Sequence, residues 1–339
     1  MALKKLGSQT VKFHNPPSII STYTIVGPKE GEGPLKDYFD FILEDDMWGQ
    51  ASFEKAEAKI QEETIKAAIN NGNLTNQDID FILSGDLLNQ IVSSTYTARQ
   101  LSIPYYGLYG ACSTMTESLS LGAMIIDGGF ADKVVCATSS HFSSAERQFR
   151  FPLEYGSQRN FSSQWTVTGA GATILSSTGD GPYITYATTG KIVDKGIKDA
   201  SNMGAAMAPA AVDTLITHFK DTGFSPSDYD LIISGDLGKI GKSIVLDLLK
   251  KEGYDLSNNF TDCGVEIFDG EKQDTHAGGS GCACAAVVFN GYIYKEMKKG
   301  NLKRVLLMAT GALHSTIINQ QGESIPGIAH AITIDINKD

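Results

Sequence analysis

The sequence predicts an α/β fold assembled from two repeated halves. Three observations carry this. Strand-like and helix-like segments alternate along the chain. The segment Asp78 to Leu87 is echoed by Asp228 to Leu237, at an offset of 150 residues. A second pair follows in the same order: Val134 to Thr138 is echoed by Leu306 to Thr310, at an offset of 172. Two echoes in one order point to a duplicated βαβ core.

The elements of the first half follow from residue patterning. Ile19 to Val26 is a strand-like run, followed by a Gly/Pro-rich loop from Gly27 to Gly33. From Ser52 to Asn71, Ala56, Ile60, Ile65 and Ala68 recur near one face while Lys and Glu fill the other, which predicts a helix stopped by Gly72. Asp78 to Leu83 reads as a buried strand, closed by Ser84-Gly85-Asp86. Helical spacing returns from Gln90 to Leu101. Ile103 to Gly110 is a further strand, and Thr114 to Asp127 a helix of small and apolar residues stopped by Gly128-Gly129. Lys133 to Thr138 is the next strand. The division expected is a first half over residues 1–178, with 1–35 as an N-terminal extension, and a second half over 179–339.

Composition narrows the function. Of 339 residues, 42% are hydrophobic and 20% charged, an ordinary globular balance. Lys+Arg 28 against Asp+Glu 39 gives a net charge of −11. This argues against nucleic acid as a partner, and an anionic ligand needs local help from an arginine, a helix N-terminus or a metal ion. No run approaches the roughly 18 apolar residues of a membrane span. The opening Met-Ala-Leu-Lys-Lys-Leu-Gly has no apolar stretch after its basic pair, so it reads as no secretory signal. Five cysteines, widely spaced except Cys282 and Cys284, form no disulfide framework and fit a reducing compartment.

Several positions are candidates for chemistry. Cys112 follows a strand and precedes a helix. Backbone N–H groups at such a turn favour a thiolate or a bound carboxylate, although a buried small hydrophobe fits there equally. Under the offset of 172, Cys112 pairs with Cys284, so the two halves would present matched turns to one cleft. His276, ahead of Gly278-Gly279-Ser280-Gly281, is placed to supply a proton, to hold a carboxylate, or only to close a loop. His141, Arg147 and Arg150 follow the strand that ends near the same face. They suit an anion, or a plain surface loop or subunit contact. Asp86 and Asp236 occupy matched positions, open to Ca²⁺ ligation or to helix capping. Cys282-Ala283-Cys284 lacks a partner pair at zinc-like spacing, and no phosphate-loop or dinucleotide fingerprint is present.

Together these features resemble the thiolase-like fold, over roughly residues 40 to 336. Cys112 matches the acyl-carrying cysteine of thiolases and ketoacyl synthases. His276 matches the histidine of their GHxxG motif, with Thr275 replacing the leading glycine. The resemblance implies layered α/β/α/β/α packing and a homodimer, with Thr97-Ala98-Arg99-Gln100 in the dimer-loop segment. The second polar group of a condensing enzyme is missing: Ser234-Gly235-Asp236-Leu237-Gly238 carries no histidine and Met308-Ala309-Thr310-Gly311 no cysteine. No condensing activity is therefore expected.

A more specific likeness lies in Gly107 to Met115, Ala137 to Gly156, Gln164 to Ala172 and Asp274 to Cys282. These stretches resemble the SpoVAD family of endospore-forming bacteria. That resemblance implies binding of dipicolinic acid, free or as its calcium chelate, and action with other SpoVA proteins in moving it into the forming spore. It also implies a peripheral place at the spore inner membrane, and no cofactor. The residues expected at the ligand are Asp86, Cys112, Met115, His141, Arg147 and His276, with calcium reached through Asp86. Tyr109, Met115 or Phe142 would face the ring. The competing expectation is acyl transfer using Cys112 and His276.

Overall fold

The computed structural model describes residues 3–149 and 159–338. Its strands form two runs with the same internal logic. In the first half the order is Ser18–Val26, Gly169–Ser176, Lys133–Ser140, Phe81–Gly85 and Tyr105–Gly107. In the second it is Tyr183–Thr188, Gly327–Asp335, Arg304–Ala312, Leu231–Ser234 and Phe260–Asp262. In each run the first two pairings are antiparallel and the next two parallel. The runs touch where Ser18 pairs with Tyr183.

The sequence echo has a local cause. In each half its first aspartate closes a capping box, Asp78 with Thr75 and Asp228 with Ser225. The second aspartate clamps the start of the neighbouring parallel strand. Asp80 accepts from the backbone N–H groups of Asp132 and Lys133, and Asp230 from those of Lys303 and Arg304. The Asp-x-Asp pattern therefore sets both the entry and the register of a strand pair.

Helices complete five layers. Phe53–Asn71 and Val92–Leu101 cover the outer face of the first run, and Met203–Thr222 and Gly238–Lys251 that of the second. Thr114–Asp127 and Cys282–Val287 lie between the two runs. A helix packed on both sides has little room for charge, which explains the small and apolar run between Glu117 and Asp127 in Thr114–Asp127. Its hydroxyls bond back to the chain, Thr116 to Ser113 O and Ser118 to Met115 O. The central core joins Met115, Leu119, Ala286, Ile233, Leu307 and Ile332. No helix among the described residues is long and apolar enough to cross a membrane.

The offset of 172 fails at the turns. The helices start at Thr114 and Cys282, an offset of 168. The counterpart of Cys112 is therefore Ser280, and Cys284 lies one helical turn further on, buried in the central core. The connections between strand and helix differ in length in the two halves, so one offset cannot align both.

Candidate functional site

The turn before Thr114–Asp127 and the glycine-rich stretch before Cys282–Val287 meet at one cavity of about 210 Å³. Tyr109, Ala111, Cys112 and Phe149 line it from the first half, and Met203, Ser280, Ala312 and His314 from the second. Arg159, Asn160 and Ser163 close another side. The halves approach closely here. A Cβ on Gly311 would overlap the carbonyl oxygen of Gly110. Gly281 has φ +101, a left-handed conformation that turns the chain into the helix, and a Cβ there would sit 2.7 Å from Ser140 Oγ.

Cys112 stands at the wall of this cavity as a protonated thiol. Burial pushes its pKa well above the ordinary thiol value, and the negative charge of Asp236 adds to this. The thiol donates to Asp236, which also accepts from Ser280 Oγ at 2.9 Å, Gly281 N at 3.1 Å and Thr310 Oγ1 at 2.9 Å. Burial raises the Asp236 pKa in turn, against the lowering effect of these donors. The cysteine at the start of the second central helix joins the same wall from behind. Cys282 Sγ donates to Ala111 O at 3.0 Å and packs with Leu87, Cys112 and Ala145.

The other expected site residues are dispersed. Asp86 spends its carboxylate on the backbone, accepting from Leu88 N and Ser94 N at 2.8 Å each. It is thus a cap, whereas its repeat partner Asp236 bonds Cys112 and Ser280 of the cavity wall. Met115 is fully buried in the central core. His141 has one ring nitrogen 2.9 Å from Asp46 O, and the other accepts from Ser143 N. Burial lowers its pKa, which removes it as a cation at neutral pH. Arg147 pairs with Glu54 on a different, shallow surface. Phe142 stacks on Trp165 at 3.7 Å, outside the lining. Arg150 lies outside the described residues. Among the described residues, no group of three or more His, Cys, Asp or Glu is placed to hold a metal ion.

His276 borders the cavity without lining it. Its Nδ1 lies 2.7 Å from Asn160 O and its Nε2 2.9 Å from Asp274 Oδ1. Asp274 in turn accepts from Arg159 Nη2, through its carbonyl at 2.7 Å and its carboxylate at 3.0 Å. A short parallel pairing of Trp165–Thr166 with Gly279–Ser280 fixes this segment. Ala277 N donates to Ser163 O, and Trp165 N to Gly278 O. The histidine is therefore turned toward the loop that carries Arg159. Sequence reasoning missed Arg159 as a wall residue, and nothing local marked it. It singled out Asp236, by its matched position in the repeat, as a calcium ligand or a cap; the structure places it behind the wall, bonded to Cys112 and Ser280.

Residues 7–335 match the family described as Stage V sporulation protein AD (SpoVAD). The chain is 46% identical over 333 residues to Stage V sporulation protein AD of Bacillus subtilis (strain 168), covering 98% of each. Among solved structures it resembles 3-oxoacyl-(acyl-carrier-protein) synthase III from Aquifex aeolicus VF5, with a TM-score of 0.58 and 13% identity, covering 94% of this chain and 99% of that one. It also resembles a variant of Xanthomonas campestris OleA bound with cerulenin, with a TM-score of 0.63 and 13% identity over 96% of this chain and 97% of that one. At such identity these likenesses show a shared thiolase-like fold, whereas the match along almost the whole chain shows the family: the protein belongs to the SpoVAD sporulation proteins.

Proposed function

We propose that this sporulation protein binds dipicolinate, or its calcium chelate, in the cavity at Cys112 and takes part in moving it into the developing spore. The observation that carries the reading is the state of the cavity wall. The thiol that would act as a nucleophile is buried, protonated and donates to Asp236, whose negative charge opposes formation of the thiolate. Thiol catalysis needs the thiolate. The space of about 210 Å³ is small beside the roughly 300–1,000 Å³ of ordinary ligand pockets, which suits a one-ring acid. Tyr109 and Phe149 offer it aromatic surface.

In this reading the chain works as a homodimer with other SpoVA proteins, peripheral at the spore inner membrane. The absence of a membrane-crossing helix among the described residues is consistent with that place. Calorimetric titration with dipicolinate, with and without calcium and beside acetoacetyl-CoA, tests the ligand. Saturable dipicolinate heat without a thioester response supports the reading. Thioester heat without a dipicolinate response overturns it. Sedimentation tests the dimer, and a monomer mass at all concentrations would refute it.

Acyl transfer is the second reading, favoured by Cys112 standing at a cavity in a fold shared with acyl synthases. It requires an acyl adduct on Cys112, which intact-protein mass spectrometry would detect.

A further inference from the structure

Arg159 is held at only one end. Its side chain is 7% exposed. Nη2 donates to the carbonyl and the carboxylate of Asp274, and the guanidinium lies 4.8 Å from the centroid of the Trp165 ring. Its Nη1 is buried and has no hydrogen-bond partner among the described residues. An unpaired N–H on a buried cation is costly, because its hydration is lost and nothing replaces it. Arg159 lines the cavity at Cys112. The unsatisfied donor therefore belongs to a side chain at the wall of a space large enough for a small molecule.

The ion pair with Asp274 leaves Arg159 available to an anion. Asp274 is 75% exposed, so its charge is largely screened by water, while the guanidinium is not. The cation–π contact with Trp165 and the two bonds to Asp274 fix the guanidinium plane before any ligand arrives. Little conformational entropy then remains to be lost on binding. The His276–Asp274 and His276–Asn160 contacts brace the same loop from outside.

We propose that Arg159 is the carboxylate-recognising residue of the cavity. Its Nη1 donates to a carboxylate of a small planar aromatic acid, and this charge-assisted bond separates acids from their uncharged isosteres. The proposal rests on the binding reading above and names the group that would make that site select an anion on an acidic chain. His276 becomes a positioning residue, acting through Asp274.

The test is calorimetric titration of the full chain and of R159Q and R159K with dipicolinate, isophthalate and the uncharged dipicolinamide. Thermal unfolding checks that each variant is folded. The wild type is expected to prefer dipicolinate over the diamide by at least tenfold. R159Q should weaken dipicolinate roughly 10- to 100-fold and leave the diamide within about threefold, with R159K in between. If R159Q does not fold, R159K and the wild-type preference for acid over amide carry the test. Equal dipicolinate affinity in wild type and R159Q would overturn the role of Arg159 and leave the binding reading standing. Arginine-dependent binding of isophthalate with none of dipicolinate would do the reverse. Binding of none of the three would overturn both.

Discussion

The Thr310 hydroxyl lies 2.9 Å from Asp236 Oδ1, tying a strand of the second half to the wall that carries Cys112. Asp236 gathers Ser280 Oγ and Gly281 N on its other oxygen. Asp236→Ala would leave four buried donors, the Cys112 thiol among them, without this acceptor. The expected loss is roughly 2–5 kcal/mol of stability, read from urea unfolding, with Asp236→Asn milder because one acceptor oxygen remains. A change below about 0.5 kcal/mol for the alanine variant would show that these donors find other partners.

Cys112 should be slow to alkylate. Burial and the Asp236 carboxylate hold its thiol protonated, so little thiolate exists at pH 8. Iodoacetamide labelling of Cys112 in the native chain is expected to run at least about a hundredfold slower than in urea, followed by peptide mass spectrometry. Fast native labelling would return the residue to nucleophilic chemistry. For ligand binding, Cys112→Ala should weaken affinity only modestly and Cys112→Trp should abolish it, because the indole fills the cavity.

Met115 and Arg147 separate core and surface from site. Met115→Ala removes a fully buried side chain and should cost roughly 2–5 kcal/mol in unfolding experiments, with dissociation constants changed little in the folded fraction. Arg147→Ala removes a surface pair with Glu54 and should leave both stability and affinity nearly unaltered. A large affinity loss in the arginine variant would place an anion site on the opposite side of the helix Phe142–Phe149.

These cases show what the chain announces locally. The fold was legible because Asp78, Asp80, Asp228 and Asp230 do their work within a few residues or across one strand pair, so their spacing is visible in the sequence. The two repeated halves followed from that echo. Of the residues expected at the ligand, only Cys112 lines the candidate cavity. His276 was expected to face the ligand, but its positive φ of 49° and its bond to Asn160 O turn it to the neighbouring loop. Arg159 arrives by the pairing of two-residue strands more than a hundred residues apart, Trp165–Thr166 with Gly279–Ser280, which no local pattern encodes. Asp86 and Asp236 share a position in the repeat yet not a task, because only the second half places its aspartate opposite Ser280 and Thr310.

Stability should fall as pH rises from about 6.5 to about 8. Glu57 is pushed up to about 8, first by burial and then by the charge of Asp86, against hydrogen bonds from Ser144 and Ser139. Burial likewise carries Glu30 to about 8. Unfolded glutamates titrate near about 4.3, so over the interval up to about 8 the folded chain holds protons the unfolded chain has released. Their contribution is full below the unfolded value and is lost as pH rises through the folded one. His218 and His330, whose folded values fall to about 4 through burial, act with the opposite sign only below about pH 6.5. The urea midpoint should therefore drop across this window, and Glu57→Gln should flatten the drop. A midpoint that climbs with pH would contradict the assignment.

The cavity has walls from both halves, Cys112 and Tyr109 on one side and Ser280 and Ala312 on the other. Neither half encloses it alone. An occupant seated there works as a staple across the seam, since it binds the joined arrangement and not the parted one. By mass action it holds the halves together by an amount that grows with its concentration. A chain nicked between the halves would then keep its shape longest where the small molecule is most abundant. Occupant and scaffold would each report on the integrity of the other.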